Sequence, residues 1–261
     1  MADDTVLVGM EGAVATVTLN RPKAHNAFDD ALVAELTSTF EYLGGRKDVR
    51  VVILAGRGKS FCAGADLAHM KKAAGFSQTE NIADAQALAR LLMVLGGLPK
   101  PTVALVQGPA YGGGVGLVSA CDIAIAAEGA SFALTEVRLG LVPAVISPFV
   151  VRAIGESWSR RFMLTGERFD AATALRIGLV HEVVPAKTLE DRGEEVIRTL
   201  LRCSPDAQRR VKALVDAVAG RPIDNALADD VARRIADARA SEDGKEGIAA
   251  FLEKRSPRWW A

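Results

Sequence analysis

The stretch QGPAYGGGVGLVSACD, residues 107–122, decides how this chain is to be read. It follows a mainly apolar segment, residues 102–106, and contains three consecutive glycines, Gly112 to Gly114, with a fourth at Gly116. A mainly apolar five-residue segment bounded by turn residues reads as a buried strand, GPAYGGG as a loop, and the apolar segment from about Gly113 to Ala120 as a short helix. The same order occurs once before. Residues 51–55 read as a buried strand, and GRGKSFCAGADL (residues 56–67) is a glycine-punctuated loop. An amphipathic helix follows from about Asn81 to Leu95, closed by Gly96, Gly97 and Pro99. Strands interleaved with helices argue for an α/β fold rather than for separate sheets and bundles.

Working outward, residues 5–8 and 13–20 alternate apolar and polar around Glu11-Gly12, the pattern of a hairpin. The polar segment NRPKAHN (residues 20–26) is a loop. Asp29 or Asp30 then caps a helix with apolar positions Leu32, Val33, Leu36, Phe40 and Leu43, stopped by Gly44-Gly45. Beyond the opening stretch, residues 122–126 and 131–134 read as short strands, helices dominate from Ser147, and a helical part with few strand signals begins at Leu189. No low-complexity linker separates it. The division is therefore a core of residues 1–188 and a helical region of residues 189–261 within one structural unit.

Composition excludes several classes of function. Lys+Arg and Asp+Glu both number 32, so no bulk charge points to nucleic acid or an anionic membrane. Three cysteines (Cys62, Cys121, Cys203) without a CxxC pair make neither a disulfide framework nor a zinc site and fit a reducing cytoplasm. His25, His69 and His181 show no ligand spacing and read as structural or solvated; no metal site is expected. No signal-peptide region opens the chain, and no window approaches the 18 apolar residues of a membrane span. The tail EKRSPRWWA is basic and aromatic and reads first as a solvated terminus.

Both glycine loops lead into a helix, where backbone N–H groups are unpaired and carry partial positive charge. One N–H from each loop, aimed at a single oxygen, would form an oxyanion hole. Tight helix–strand packing explains the glycines equally well from residue type alone. Neither loop has the lysine of a P-loop or the spacing of a dinucleotide fingerprint. Glu136, in FALTEVRLGLVP (residues 132–143), is the acid nearest in sequence. Apolar surroundings would raise its pKa toward the range useful for general acid–base work; a water-exposed acid at a helix start is the competing reading. Asp122 reads as structural.

Together, GRGKSFCAGADL, KPTVALVQGPAYGGG, ACDIAIA, FALTEVRLGLVP and LTGERFDAATALRIGLVHEVVP resemble the ordered signatures of the enoyl-CoA hydratase/isomerase, or crotonase, superfamily, from about Val6 to the tail. The resemblance implies a spiral core of repeated ββα units and a helical C-terminal region used in trimerisation. It implies a homotrimer or dimer of trimers, an acyl-CoA thioester substrate, and no cofactor beyond the CoA that the substrate carries. By position it makes the backbone N–H groups of Ala65 and Gly113 the oxyanion donors, which favours the oxyanion-hole reading of the glycines. It also assigns CoA contacts to Lys23, Ala24, Ala63, Asp66 and Leu67, and to Phe251 and Lys254 near the C-terminus.

One departure bears on mechanism. Hydratases of this superfamily usually carry a second glutamate two residues past the triple glycine, where this chain has Gly116. Three readings follow. The first is a hydratase working through Glu136, on the likeness of residues 112–126 and 139–156 to bacterial methylglutaconyl-CoA hydratase-like members. The second is a double-bond isomerase, which needs one base. The third is a non-catalytic member binding CoA esters or RNA. If the acyl group carries a second carboxylate, Lys71, Lys72 and Arg138 are its candidate partners, each more ordinarily a surface cation.

Overall fold

A computed structural model describes residues 4–260. The residues sort into two compact units. One comprises the described residues up to Leu98 with Thr102–Glu194, the other Pro99–Pro101 with the described residues from Glu195 onward.

The first unit opens with β1 (Val6–Glu11) and β2 (Val14–Leu19), the expected antiparallel hairpin. Asp29 caps α1 (Asp30–Gly45), its side chain accepting from the Leu32 N–H at 2.8 Å, and Leu32, Leu36, Phe40 and Leu43 are buried at helical spacing. The helix runs through Gly44 and Gly45 rather than stopping before them, since glycine only weakens a last turn. Next come β3 (Val51–Gly56), α2 (Leu67–Ala73) and α3 (Gln78–Gly96). The sequence reading missed α2. It also started α3 too late: Ser77 and Glu80 form a capping box that sets the start at Gln78.

The opening stretch folds as expected into β4 (Thr102–Val106) and α4 (Gly113–Ala120), with a two-residue strand, β5 (Ala110–Tyr111), between them. Then follow β6 (Ile123–Ala127), β7 (Ser131–Ala133), α5 (Ser147–Thr165), β8 (Arg168–Asp170), α6 (Ala171–Arg176) and β9 (Glu182–Val184). One sheet has the order β1-β2-β3-β4-β6-β9, parallel from β2 onward; a second has the order β5-β7-β8. Full burial of β4 on both faces explains the apolar run from Val103 to Val106. Asp122 is structural as read: its Oδ2 accepts from the Thr102 N–H at 2.8 Å and Oγ1 at 2.9 Å.

Helix α7 (Leu189–Leu201) crosses the division at 194/195. The second unit continues with α8 (Pro205–Val218), α9 (Asn225–Ala240) and α10 (Glu242–Leu252). Lys212 Nζ donates to the Lys100 carbonyl at 3.0 Å, which ties Pro99–Pro101 to this unit. The tail is not a loose solvated end. Both tryptophan indoles donate to the Arg202 carbonyl; Arg255 pairs with Glu246 at 2.7 Å and Arg258 with Asp243 at 2.6 Å. These pairs neutralise most of the basic character seen in the sequence. No helix of the described residues is long and apolar enough to cross a membrane.

Candidate active site

The two glycine loops are stitched edge to edge. Cys62 and Ala110 form a parallel bridge: the Phe61 and Cys62 N–H groups donate to the Pro109 carbonyl, and the Tyr111 N–H donates to the Cys62 carbonyl at 2.9 Å. The loops then close until a Cβ on Gly64 would stand 3.0 Å from the Tyr111 carbonyl oxygen and 3.8 Å from the Gly112 Cα. Gly64 (φ +89°) and Gly112 (φ +48°) both lie in the left-handed region, so glycine is required here by backbone conformation and by space.

This junction sets the two expected donors beside each other in the chain path. Ala65 pairs with Phe28 through its neighbours: the Phe28 N–H donates to the Gly64 carbonyl at 2.7 Å and the Asp66 N–H to the Phe28 carbonyl at 2.8 Å. In a parallel bridge of this register the N–H of Ala65 points away from Phe28. Gly113 is the first residue of α4, so its N–H has no acceptor within the helix. Neither N–H has a backbone acceptor among the described residues; Ala65 is exposed and Gly113 half-buried.

Strand β7 delivers the acid to the same place. The Ala133 carbonyl at its end accepts from the Gly112 N–H at 2.9 Å, and the next turn of chain is a 3-10 helix that begins at Glu136. A Cβ on Gly112 would lie 3.1 Å from Glu136 Oε1. The carboxyl is therefore packed on the glycine beside Gly113. Its Oε2 is buried and has no hydrogen-bond partner among the described residues. Burial pushes the Glu136 carboxyl above the usual glutamate range, opposed only in part by its own backbone N–H. A half-buried carboxyl with one oxygen unpartnered is the opposite of the exposed helix-start acid that the sequence also allowed. The Cys62 thiol, fully buried beneath the junction, is pushed up to about 12 by desolvation and offers no thiolate.

Of the residues expected to border CoA, several are drawn into this neighbourhood. Lys23 and Ala24 form a 3-10 turn whose C-cap, His25, accepts from the Ala63 N–H at 3.0 Å through its carbonyl, so the 23–24 and 63–67 segments adjoin. Asp66 caps α2, accepting from the Ala68 N–H at 2.8 Å, and pairs with Arg21 at 3.0 Å. Leu67 is 76% exposed beside them. Phe251 and Lys254 belong to the second unit. Phe251 is 82% exposed on α10, and Lys254 is exposed with a left-handed backbone just past that helix.

Two residues that the sequence reading passed over support the site. Asn26 is wholly buried and left-handed (φ +56°); its amide donates to the Ser60 carbonyl at 2.9 Å and the Phe61 carbonyl at 3.1 Å. Gln107 donates to the Gly56 and Ser60 carbonyls at 2.6 and 3.0 Å. For Gln107 the signal was present: an amide at the start of a glycine-rich loop has free backbone carbonyls to satisfy. Among the cations offered for a second substrate carboxylate, Lys72 is already paired with Asp30 at 2.6 Å, and the Arg138 side chain lies against Gly166.

The place of Gly116 is filled. A Cβ there would stand 2.5 Å from Ile146 Cγ2 and 3.5 Å from Leu92 Cδ1, and both side chains are buried. The core occupies the space, so this glycine leaves no room for an acyl group.

The profile of the Enoyl-CoA hydratase/isomerase family matches residues 9–261. The chain is similar to a crystal structure of an enoyl-CoA hydratase from Shewanella pealeana (44% identity, TM-score 0.96, covering 98% of this chain and 96% of that one). It is also similar to AtuE of Pseudomonas aeruginosa (41%, TM-score 0.93, covering 99% and 100%). A short-chain-enoyl-CoA hydratase of Clostridium acetobutylicum is 34% identical over 255 residues, 97% of this chain and 96% of the relative. With its paired glycine loops, mixed sheet and C-terminal helices, the chain has the crotonase fold and belongs to the enoyl-CoA hydratase/isomerase family.

Proposed function

We propose that the protein adds water across the 2,3 double bond of an enoyl-CoA thioester. Glu136 is its acid/base, and the N–H groups of Ala65 and Gly113 receive the thioester oxygen. The observation that carries this reading is the half-buried Glu136 carboxyl, its Oε2 without a partner, packed on Gly112 at the junction of the two loops. Bonding of the water oxygen to C3 moves an electron pair through C2 onto the thioester oxygen; fixed donors at that oxygen lower the barrier, one donor being worth about 3–4 kcal/mol. Glu136 takes the proton that water loses and returns one to C2, for which a carboxyl held above its usual range is suited. The hydratase relatives support the same reaction class.

The substrate we propose is a branched, carboxylated enoyl-CoA, 3-methylglutaconyl-CoA giving 3-hydroxy-3-methylglutaryl-CoA, or an analogue. It rests on the likeness of residues 112–126 and 139–156 to that subgroup. The exposed Leu139, Leu141 and Val142 that follow Glu136 suit the apolar part of such a chain. No cofactor is required, and assembly as a homotrimer or dimer of trimers is expected; equilibrium sedimentation tests the assembly.

A second reading, double-bond isomerisation by Glu136 alone, is favoured by the packing of Ile146 and Leu92 over Gly116, which admits no second carboxylate. Mass spectrometry on straight-chain, methyl-branched and carboxylated enoyl-CoAs separates the two. A product heavier by one water supports hydration; unchanged mass with a moved double bond supports isomerisation. CoA-ester binding without turnover on the whole panel would overturn both.

A further inference from the structure

Helix α2 raises a question of anchorage. It is seven residues long, begins two residues after Ala65, and has no buried residue. A helix this short has little stability of its own, so something other than apolar packing must fix it. The fixing group is His69. Its ring is 13% exposed; Nδ1 lies 3.1 Å from Asp30 Oδ1 on the first turn of α1, and Nε2 lies 3.1 Å from Asp84 Oδ1 on α3. Both ring nitrogens thus face a carboxylate, one from each flanking helix. Phe76 meets the ring edge-on at 6.3 Å, and Lys72 closes over the same group, bonded to Asp30 at 2.6 Å. The ligand atoms of Asp30, His69 and Asp84 also lie within 4.8 Å of one another. A metal would use only one ring nitrogen, however, and would compete with Lys72 for Asp30.

We propose that His69 is a positioning residue: by bridging Asp30 and Asp84 it fixes α2, and through α2 the Ala65 N–H. The linkage is short. The same α1 start that holds Asp30 is preceded by Phe28, whose N–H and carbonyl grip Gly64 and Asp66 on either side of Ala65. Asp66, which caps α2, also accepts from the His69 N–H at 3.4 Å. A shift of α2 therefore moves Ala65 against Phe28, which adjoins the α1 start that holds Asp30. This inference rests on the reading of Ala65 as a donor.

The test compares His69→Phe, which keeps a ring against Phe76 and removes both polar contacts, with His69→Arg, which restores donors toward two carboxylates. Asp84→Ala, at a partly exposed position, releases one side if His69→Phe fails to fold. Two readouts are needed. Hydrogen exchange of the amides of residues 67–74, with α4 as internal control, should speed by about tenfold in His69→Phe and Asp84→Ala. Turnover on the enoyl-CoA accepted by the wild type should fall by about tenfold or more in kcat, with KM far less changed. His69→Arg should recover both. Unchanged exchange in the released variants overturns the clamp. Faster exchange with unchanged kcat overturns the link to catalysis and lays the fault on the Ala65 reading rather than on the clamp.

Discussion

The two loops that meet at Gly64 and Gly112 hold the N–H groups proposed as donors by opposite means. Gly113 stands on α4, which is buried from Gly114 to Ala120. Its surroundings are contacts of a tenth of an ångström's consequence: a Cβ on Gly113 would lie 2.5 Å from Phe28 Cε2, and one on Gly114 2.3 Å from the Cys62 carbonyl oxygen. Ala65 stands before α2, which buries nothing and is held by Arg21, Asp66, His69 and Lys72. One donor is set by volume, the other by charge and hydrogen bonds. The lesson is that a site needing two fixed N–H groups does not need two rigid elements; a polar clamp can stand in for a core on the side that faces solvent.

The largest expected effect falls on the acid that both loops surround. Glu136→Gln keeps the shape against Gly112 and should lower kcat by about 10²- to 10⁴-fold, with binding of the acyl-CoA little changed. Steady-state kinetics beside calorimetric titration checks this. Turnover near wild type would remove Glu136 from the mechanism and leave two donors without an acid. Next comes the volume-set loop. Gly114→Ala should cost about 3 kcal/mol or more, read as a drop in the denaturation midpoint, because the new methyl meets a backbone carbonyl that cannot rotate away.

That contrast also explains what the amino-acid sequence made legible. Strand β4 and helix α4 were readable to the residue, because a both-faces-buried strand and a glycine-fronted apolar helix announce themselves locally. Helix α2 was not, because LAHMKKA lacks an apolar stripe and its partners are Asp30 and Asp84, distant in sequence. Strands β5, β8 and β9, of two or three residues, are too short to alternate. Glu136 was marked by its motif, but whether its carboxyl was wet or half-buried depended on Gly112, brought to it by β7. Ile146 over Gly116 had no local signal at all: the pair is thirty positions apart and meets only through α4 and the start of α5.

Gly116 offers a sharper version of the volume argument. Gly116→Ala should cost about 1–3 kcal/mol by overpacking against Ile146 and Leu92. Ile146→Ala should also destabilise, by leaving a gap. The double variant should lose much less than the sum of the two single losses, since the new methyl then enters the space vacated; a double-mutant cycle on unfolding free energies measures it. Strict additivity would mean that the two residues do not share that space. On the other loop, Asp66→Ala should cost about 1 kcal/mol through loss of the α2 cap. It should leave the exchange of α4 amides unchanged; a matching loss of protection in both helices would erase the distinction between the loops.

The smallest effect tests the charge state of the acid without substrate. Burial raises the Glu136 pKa in the folded protein, so folding disfavours the ionised form. The native state then binds more protons than the unfolded chain between the ordinary glutamate range and the raised native value, and stability falls as pH rises through that window. Below the ordinary range both states are protonated and the effect is absent. Glu136→Gln removes the ionisable group while keeping its shape. It should therefore be slightly more stable than the wild type at neutral pH and lose that advantage as pH falls through that window. Thermal unfolding of the two proteins across that range reads the difference. An advantage that instead grew toward acid would mean that the wild-type carboxylate is stabilised when ionised. It would then have a partner in solution, and the unpaired acid at the junction of the loops would be lost as the basis of the mechanism.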